Sequence, residues 1–421
     1  MIFLFWPFRH ILEGSLQHAT EHAKRYIATI SPVTDTYIQR FSVPFEYPVY
    51  FTHRVFDPSN TTLVEALSRL EATRTHRALV VVDSGVADAH TGLIASIESY
   101  AAAHAARFEL AATPLIVAGG EQTKSSPDVV SELHEAIATA HLDRQSFVII
   151  VGGGAVHDAA GYAAATAHRG VRVIRIPTTV EGQNDSGVGV KNGLNAHGTK
   201  NYLGSFAPPF AVINDITFID TLPDRDRLSG IAEAVKVSLL RDATYFEWLW
   251  TQCDALTRFE TAAMQHMIRR SAELHLEHIA KSGDPFEFGS AKPLDFGHWA
   301  AHKLEMLTGY DLRHGEAVAI GIAIDARYSA EHGLLNDADV GRICVLLERL
   351  GFTLWHSAVA QRNGNGRRIV LDGLQEFREH LGGELTLTLI NKIGASVATS
   401  DIDTARMERA IDWLEYRAKA S

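Results

Sequence analysis

The sequence predicts an α/β protein made of a doubly wound parallel sheet followed by a helical half. Two observations carry this prediction. In the first half, short apolar runs, such as ALVVV at residues 78–82 and FVIIV at 147–151, alternate with segments of helical period, which is typical of a parallel sheet covered on both faces. After Asp215, strand-like runs become scarce, and long segments rich in Ala, Leu and Glu follow.

Residues 1–40 contain no strand-like run and are interpreted as an appended segment, and we place a domain boundary at residue 217. Each predicted strand ends in a glycine-bearing or polar turn, and ligands of parallel sheets bind at the carboxyl ends of the strands. Strands are expected at 78–82, 115–118, 147–151 and 171–176, and helices at 85–106, 126–140, 224–282, 298–335 and 337–351.

Composition excludes several functional classes. Of the 421 residues, 39 are Lys or Arg and 50 are Asp or Glu, so the net charge of −11 disfavours a nucleic-acid partner. With only Cys253 and Cys344, the chain cannot build a disulfide framework or a cysteine-rich zinc site. The apolar start at residues 1–8 is far shorter than the ~20 residues of a membrane span and does not resemble a signal peptide. We therefore expect a cytoplasmic protein without a membrane contact.

Two glycine-bearing turns are candidate phosphate-binding elements. GGG at residues 152–154 lies between a strand and a helix, where backbone N–H groups can face a pyrophosphate. A tight turn that needs positive φ explains the same glycines. In GGEQxK at residues 119–124, the Glu121 carboxylate could hold ribose hydroxyls and the Lys124 amine phosphates, whereas a capped helix start is the alternative interpretation.

A second set of residues has the types and spacing of metal ligands. His298 and His302 are four residues apart on a predicted helix and share one face, and His314 follows in the same region. Glu233 is the candidate carboxylate, because two histidines and one carboxylate suit an open catalytic site. A lone helical histidine is ordinarily a surface or capping residue, but three within 17 residues weaken that alternative. Which three groups bind stays open at this point.

A third set consists of cations and amides. Lys236 lies one helical turn after Glu233, so that amine and carboxylate share a face. The alternative is a solvated ion pair, which contributes little. The intervening and flanking residues in IAEAVK are apolar, which indicates a buried helix whose charges belong to a site. The other members of this set are Arg169, Lys191, Lys200 and Asn201.

Together these motifs resemble the sugar phosphate cyclases, the dehydroquinate synthase superfamily. The resemblance implies a Rossmann-like NAD-binding domain at residues 41–217 and an all-helical, metal- and substrate-binding domain at 218–421, in a homodimer that acts on a small sugar phosphate. It covers residues 75–395 in order. The motifs are GGEQxK, GGGxxxD, an Arg-Gly, PTT followed by DSxxGxK, Lys-Asn, SGxAExxK, FGH and HGEAVAIG.

The resemblance also implies a role for each matching residue. The residues expected to bind NAD are Asp83, Glu121, Lys124, Gly153, Gly154, Asp158, Thr178 and Thr179. Those expected to bind a divalent metal, zinc or cobalt, are Glu233, His298 and His314. Those expected to line the substrate pocket are Asp185, Lys191, Lys200, Asn201, Lys236 and His302. Arg169 is expected to reach the substrate phosphate from the partner subunit.

Departures from the dehydroquinate synthase pattern point to a different substrate. In those enzymes an Arg and a Lys clamp the carboxylate of a heptulosonate; here the Arg position is Ala291 and the Lys position falls near Glu277. Without these cations a buried carboxylate would be left unpaired, at a large energetic cost. Asp295 stands in place of an Asn, and His380 within FREHLGG stands in place of a Lys. Both features are similar to the branch that cyclises sedoheptulose 7-phosphate, the 2-epi-5-epi-valiolone synthases.

The sequence therefore predicts a carbon–oxygen lyase that converts sedoheptulose 7-phosphate to a valiolone-type C7 cyclitol. The resemblance implies transient oxidation by NAD, phosphate elimination, return of the hydride and an intramolecular aldol, with oxyanions stabilised by Lys191, Lys236 and the metal. Three alternatives stay open: a 3-dehydroquinate synthase, a metal-dependent polyol dehydrogenase with net NADH production, and an inactive NAD-binding scaffold. The residues predicted to be catalytic are Asp185, Lys191, Lys236, Asp295, His302 and His380.

Overall fold

The computed structural model describes residues 36–197, 199–281, 294–381 and 385–420, with the backbone alone at 379–381. The chain divides into two units, Met1–Phe45 and Glu46–Ser421. The described part of the first unit, residues 36–45, contains no helix or strand and is almost entirely exposed. The interpretation of residues 1–40 as an appended segment therefore falls mostly outside the described ranges, and the division at residue 217 stays a prediction.

The second unit is built on a seven-stranded parallel sheet with the strand order β1-β9-β6-β5-β2-β3, in which β4 also pairs with β2. A separate antiparallel hairpin of β7 and β8, which the sequence did not predict, precedes β9. The strands are β1 Val49–Thr52, β2 His76–Asp83, β3 Phe108–Leu110, β4 Leu115–Val117, β5 Phe147–Gly152, β6 Arg172–Pro177, β7 Lys191–Ala196, β8 Thr199–Phe206 and β9 Ala211–Asp215.

Helices cover both faces of the sheet, as the wholly apolar strands predict. Because successive side chains of a strand point to opposite faces, Val80 and Ile149 enter one hydrophobic core, whereas Val81 and Ile150 enter another. All four side chains are fully buried. The α-helices of this half are α1 Thr62–Ser68, α2 Ser84–Ala89, α3 Leu93–Ala103, α4 Gln122–Ser125, α5 Pro127–Thr139 and α6 Gly154–Thr166.

Among the described residues, the second half is helical apart from one hairpin, so the expectation of an all-helical domain is wrong at that point. The hairpin joins β10 Leu387–Lys392 to β11 Ala395–Thr399, and its turn contains Gly394 at φ 86°. Its signal is the alternation in LTLTLI. The helices are α7 Asp224–Ser229, α8 Ile231–Arg241, α9 Ala243–Thr251, α10 Cys253–Thr257, α11 Thr261–Lys281, α12 His298–Leu307, α13 His314–Glu331, α14 Asp337–Leu350, α15 Ser357–Ala360, α16 Asp372–Leu381 and α17 Thr404–Ala420. Within the described ranges, no helix has the length and apolar character needed to span a bilayer.

Helices α12 and α13 touch at two glycines, and this contact positions the candidate histidines. A Cβ atom on Gly321 of α13 would lie 2.0 Å from the carbonyl oxygen of Gly297, the residue before α12. Asp325 of α13 accepts hydrogen bonds from the Gly297 backbone N–H at 2.7 Å and from the Trp299 indole N–H at 2.8 Å. The start of α12 is thereby held against α13.

We expect Gly321→Ala to destabilise the protein by roughly 1–3 kcal/mol, because the added methyl group must push backbone apart. Gly341→Ala is the matched control: it lies inside α14, where an added Cβ meets nothing within 4 Å, and there Ala should stabilise by about 0.5–1 kcal/mol. Urea denaturation followed by circular dichroism measures both. Equal unfolding midpoints for the two variants would contradict the proposed contact.

Candidate active site

A cavity of about 300 Å³ lies at the carboxyl ends of the sheet strands and is lined by both halves of the second unit. Most of the residues singled out in the sequence line it, although they come from segments far apart in the chain. Those residues are Glu121, Lys124, Gly154, Asp158, Asp185, Lys191, Lys200, Asn201, Lys236, Asp295, His298, His302 and His314.

Three helices bring Glu233, His298 and His314 together, and the two histidines line the cavity. Glu233 Oε1 lies 3.2 Å from His314 Nε2 and 3.5 Å from His298 Nε2. One ligand atom from each residue lies within 4.8 Å of the other two. Two imidazole nitrogens and one carboxylate oxygen at this spacing could hold a divalent metal ion and leave coordination positions for a substrate.

The Glu233 carboxylate is only 2% exposed, and its charge is compensated by cations. Burial alone would raise its pKa, but Lys236, with His298 and His314, outweighs burial and holds the pKa well below its usual range. Burial and the nearby Lys236 lower the pKa of His298. The imidazole of His298 is therefore favoured in its neutral form, which is the form that binds metal.

Lys236 joins this cluster to the substrate side of the cavity. Its Nζ lies 2.5 Å from Glu233 Oε2 and 2.9 Å from Asp185 Oδ2. The Lys236 side chain is 3% exposed, so the alternative of a solvated ion pair is wrong. Burial would lower the pKa of Lys236, but Asp185 and Glu233 raise it above its usual value. His275 of α11 also contacts Asp185, with Nδ1 3.2 Å from Oδ1.

A second carboxylate, Glu305 of α12, was not identified from the sequence. It is 4% exposed, and both of its carboxylate oxygens lie 2.9 Å from Lys200 Nζ. Its Oε2 also lies 3.1 Å from His314 Nδ1. Glu305 and Glu233 outweigh burial and raise the pKa of His314 to about 10. The space between these carboxylates therefore favours a positive charge. A helical spacing signal existed, since Glu305 lies seven residues after His298 and three after His302.

Another side of the cavity is built around Lys124. Its Nζ lies 2.6 Å from Asp158 Oδ2 and 3.8 Å from Glu121 Oε1, and it also donates to Asn201 Oδ1. The Lys124 side chain is 4% exposed. The GGEQxK segment is therefore not only a capped helix start. The amine of its Lys124 connects α4 to α6 and β8.

The glycines after β5 are required by close packing and not by positive φ. Gly153 has φ −79°, and a Cβ atom on it would lie 3.2 Å from Thr179 Cγ2. A Cβ atom on Gly154 would lie 2.9 Å from Ser186 Oγ. The tight-turn interpretation is therefore wrong, and the turn leaves the start of α6 uncovered by side chains of its own.

The other residues predicted on this side lie at strand ends. Asp83 ends β2 and accepts a hydrogen bond from the Gly85 backbone N–H at 2.8 Å, which caps α2. Thr178 follows β6, and its backbone N–H donates to the Gly152 carbonyl. Thr179 Oγ1 accepts from the Gly182 N–H at 3.0 Å. Their proposed contacts with NAD stay predictions.

Some of the predicted positions do not line the cavity of their own chain, and others lie outside the described residues. Arg169 is exposed, has φ 65°, and does not line the cavity of its own chain. Glu277 is also exposed, whereas His275 and His278 of the same helix, α11, line the cavity. Ala291 and the side chain of His380 lie outside the described residues.

The fold and the cavity define an α/β protein with a candidate active site at the carboxyl ends of its parallel strands. Comparison with known proteins gives the family. Residues 114–229 match the family model 3-dehydroquinate synthase N-terminal, and residues 230–365 match 3-dehydroquinate synthase C-terminal. The chain belongs to the dehydroquinate synthase family, within the carbon–oxygen lyases, and the expected fold class is confirmed.

The proteins similar to this chain include a curated 3-dehydroquinate synthase and two solved synthases. The 3-dehydroquinate synthase of Halorhodospira halophila is 34% identical over 329 residues, which cover 76% of this chain and 90% of the relative. The structure of 2-epi-5-epi-valiolone synthase from Streptomyces hygroscopicus subsp. jinggangensis, with NAD+ and Zn2+ bound, has a TM-score of 0.79 at 28% identity and covers 90% of this chain and 100% of that one. The structure of 2-deoxy-scyllo-inosose synthase has a TM-score of 0.68 at 21% identity, covering 86% and 95%, and shares the fold.

We expect His314→Ala to lose bound metal and activity while staying folded and retaining its affinity for NAD. The loss of metal affinity should exceed the roughly 10- to 100-fold that removal of a supporting residue costs. Metal analysis after dialysis measures this, and His53→Ala, which changes an exposed histidine outside the cavity, is the control. Full metal occupancy in His314→Ala would remove His314 from the ligand set.

Proposed function

We propose that this protein cyclises sedoheptulose 7-phosphate to a valiolone-type C7 cyclitol, with NAD and a divalent zinc or cobalt ion as cofactors. The charge of the cavity carries this proposal. Its described lining residues include six carboxyl groups and four lysines but no arginine. Lys124, Lys200 and Lys236 each lie within 2.9 Å of a carboxylate oxygen. If the substrate carried a carboxylate in addition to its phosphate, that carboxylate would find no guanidinium among the described lining residues.

The residues present fit both cofactors. Glu233, His298 and His314 offer the donor set of a catalytic divalent ion. Gly153 and Gly154 place no side chain of their own at the start of α6, and Gly154 lines the cavity, so backbone N–H groups there could face a pyrophosphate. The solved valiolone synthase, whose structure holds NAD+ and Zn2+, supports this assignment. When bound, NAD supplies reversible hydride acceptance at a ring carbon, and the metal ion polarises the oxygen on that carbon. The residues proposed around NAD are Asp83, Glu121, Lys124, Gly153, Gly154, Asp158, Thr178 and Thr179.

The protein's own contribution is a preorganised set of donors. Lys236 is held between Glu233 and Asp185, and it lines the cavity. Its ammonium group is therefore already oriented before a substrate binds. It can therefore stabilise an oxyanion as the charge develops. Lys191 lines the same wall and is proposed to act with it. Arg169, exposed on its own chain, is proposed to reach the phosphate across a homodimer interface.

The wall around His278 and Asp295 suits hydroxyl groups. Burial lowers the pKa of His278 to about 4, so the ring is neutral at pH 7 and has one donor and one acceptor nitrogen. Neither nitrogen has a hydrogen-bond partner among the described residues. Burial raises the pKa of Asp295 to about 7, against smaller opposing effects of Thr388, Lys236 and Lys191. A hydroxymethyl group can donate to and accept from such groups, whereas a carboxylate only accepts.

A 3-dehydroquinate synthase activity is the second candidate, and it is favoured by the name of the 34% identical curated relatives. The two activities use the same fold, cofactors and order of steps. They differ in the group at one end of the substrate, which is a hydroxymethyl in the heptulose phosphate and a carboxylate in the heptulosonate phosphate. Direct comparison of the two substrates therefore separates them.

We expect turnover of sedoheptulose 7-phosphate and little turnover of the heptulosonate phosphate. An unpaired buried carboxylate costs about 2–5 kcal/mol, or ~30- to ~5000-fold in selectivity. Phosphate release and NMR identification of the products measure this preference. Efficient formation of dehydroquinate by the unmodified protein would overturn the substrate assignment in favour of the second candidate.

We expect phosphate to accumulate without a steady rise in NADH absorbance, because a cyclase returns its hydride in every turnover. Absorbance at the NADH band and phosphate release are followed in the same reaction. NADH formed in proportion to phosphate would instead indicate a net oxidoreductase.

We expect discrimination against the heptulosonate to increase as pH rises through about 7. Asp295 is protonated below its raised pKa and negatively charged above it, so repulsion of a substrate carboxylate grows in that direction. Asp295→Asn should abolish this pH dependence and weaken the preference, whereas Asp401→Asn, at an exposed position, should not. The ratio of kcat/KM values for the two substrates between pH 6 and 8.5 is the measurement. A wild-type ratio that is independent of pH would exclude Asp295 from the selectivity.

A further inference from the structure

We propose that Glu305 is a positioning residue, whose carboxylate holds His314 in the tautomer and orientation that bind the metal ion. This inference rests on the proposed metal site at Glu233, His298 and His314. The His314 ring lies between two carboxylates. Glu305 Oε2 lies 3.1 Å from its Nδ1, and Glu233 Oε1 lies 3.2 Å from its Nε2. Glu305 is 4% exposed, so water does not compete for this contact.

The chemistry of an imidazole makes this contact decisive. A neutral ring has one N–H group and one lone pair, and a carboxylate can only accept a hydrogen bond. In the neutral ring that a metal ion requires, Glu305 would therefore keep the hydrogen on Nδ1 and leave the lone pair of Nε2 for the ion. Support of a ligating histidine by a carboxylate or carbonyl is common at metal sites.

His298 repeats the same arrangement with a backbone acceptor. Its Nδ1 lies 3.3 Å from the Phe296 carbonyl oxygen, and its Nε2 lies 3.5 Å from Glu233 Oε1. Both histidines thus present Nε2 to Glu233 and have Nδ1 beside an oxygen. Because both rings are oriented in the same way, the oxygen beside Nδ1 of His314, which belongs to Glu305, is interpreted as a support for the ring and not as a separate metal ligand.

A second metal ion at His302, Glu305 and His314 is the competing interpretation, because ligand atoms of these residues also lie within 4.8 Å of one another. Two observations favour the positioning role. Lys200 Nζ lies 2.9 Å from both oxygens of Glu305, so the charge that would attract an ion is already neutralised. His314 would also need to lose its remaining ring hydrogen to bind through both nitrogens. We therefore infer one metal ion per chain.

Lys200 pairs with Glu305 and so connects the β7–β8 hairpin to the proposed metal site. The Lys200 and Glu305 side chains are 11% and 5% exposed, respectively, and a buried carboxylate is costly unless it is paired. Lys200, assigned to the substrate by resemblance alone, thus also pairs with Glu305 and holds its carboxylate beside His314.

Glu305→Gln tests the proposal, because it keeps the shape of the side chain and removes its charge. We expect the Kd for Co2+ to rise about 10- to 100-fold, with an altered visible spectrum of the bound Co2+ and unchanged affinity for NAD. Glu376→Gln is the matched control: this residue pairs with Lys303 of α12 at 2.5 Å and lies outside the cluster. It should bind Co2+ like the wild type. The double variant Glu305→Gln/Lys200→Met removes both buried charges together. Its Kd for Co2+ is measured instead if the single variant does not fold.

The outcomes separate this inference from the proposed function. Wild-type Co2+ affinity in both Glu305 variants would overturn the positioning role. A wild-type protein that binds two ions and a Glu305→Gln variant that binds one would also overturn it, in favour of the second metal site. Retention of metal by His314→Ala, by contrast, would contradict the proposed metal site itself.

Discussion

The buried negative charge of Glu233 is the constraint on which the rest of the site depends. A carboxylate that is 2% exposed must be paired or lose its charge. Its partners come from three helices: Lys236 from its own helix, His298 from α12 and His314 from α13. The charge is therefore stable only when these helices are packed together, and the site is a property of the folded helical half and not of any one segment.

The same requirement extends outward from Glu233 in two directions. Lys236 is shared with Asp185, which in turn contacts His275 of α11. On the other side, His314 contacts Glu305, which is neutralised by Lys200 of the hairpin. Donors and acceptors that are fixed in this way need no reorganisation when charge develops on a substrate, which is the basis of electrostatic catalysis. The cost is a cavity with little capacity for an additional unpaired charge.

Local patterns were sufficient to predict much of this arrangement. The central strands were evident from their apolar runs, and the pairs Glu233/Lys236 and His298/His302 follow from helical spacing alone. Contacts across the fold were not predictable in this way: Lys200 and Glu305 are 105 residues apart, and no local pattern joins them. The β10–β11 hairpin was missed because its alternation is short and lies among helices. The close packing at Gly153 likewise depends on Thr179, which lies after β6 and far from Gly153 in the chain.

Anomalous diffraction from crystals grown with NAD and Zn2+ would locate the metal ion independently of activity. Our account predicts one anomalous peak per chain, within bonding distance of Glu233 and of Nε2 of both His298 and His314, with Glu305 hydrogen-bonded to Nδ1 of His314. A peak coordinated by His302 and Glu305 instead, or no peak at Glu233, would contradict it.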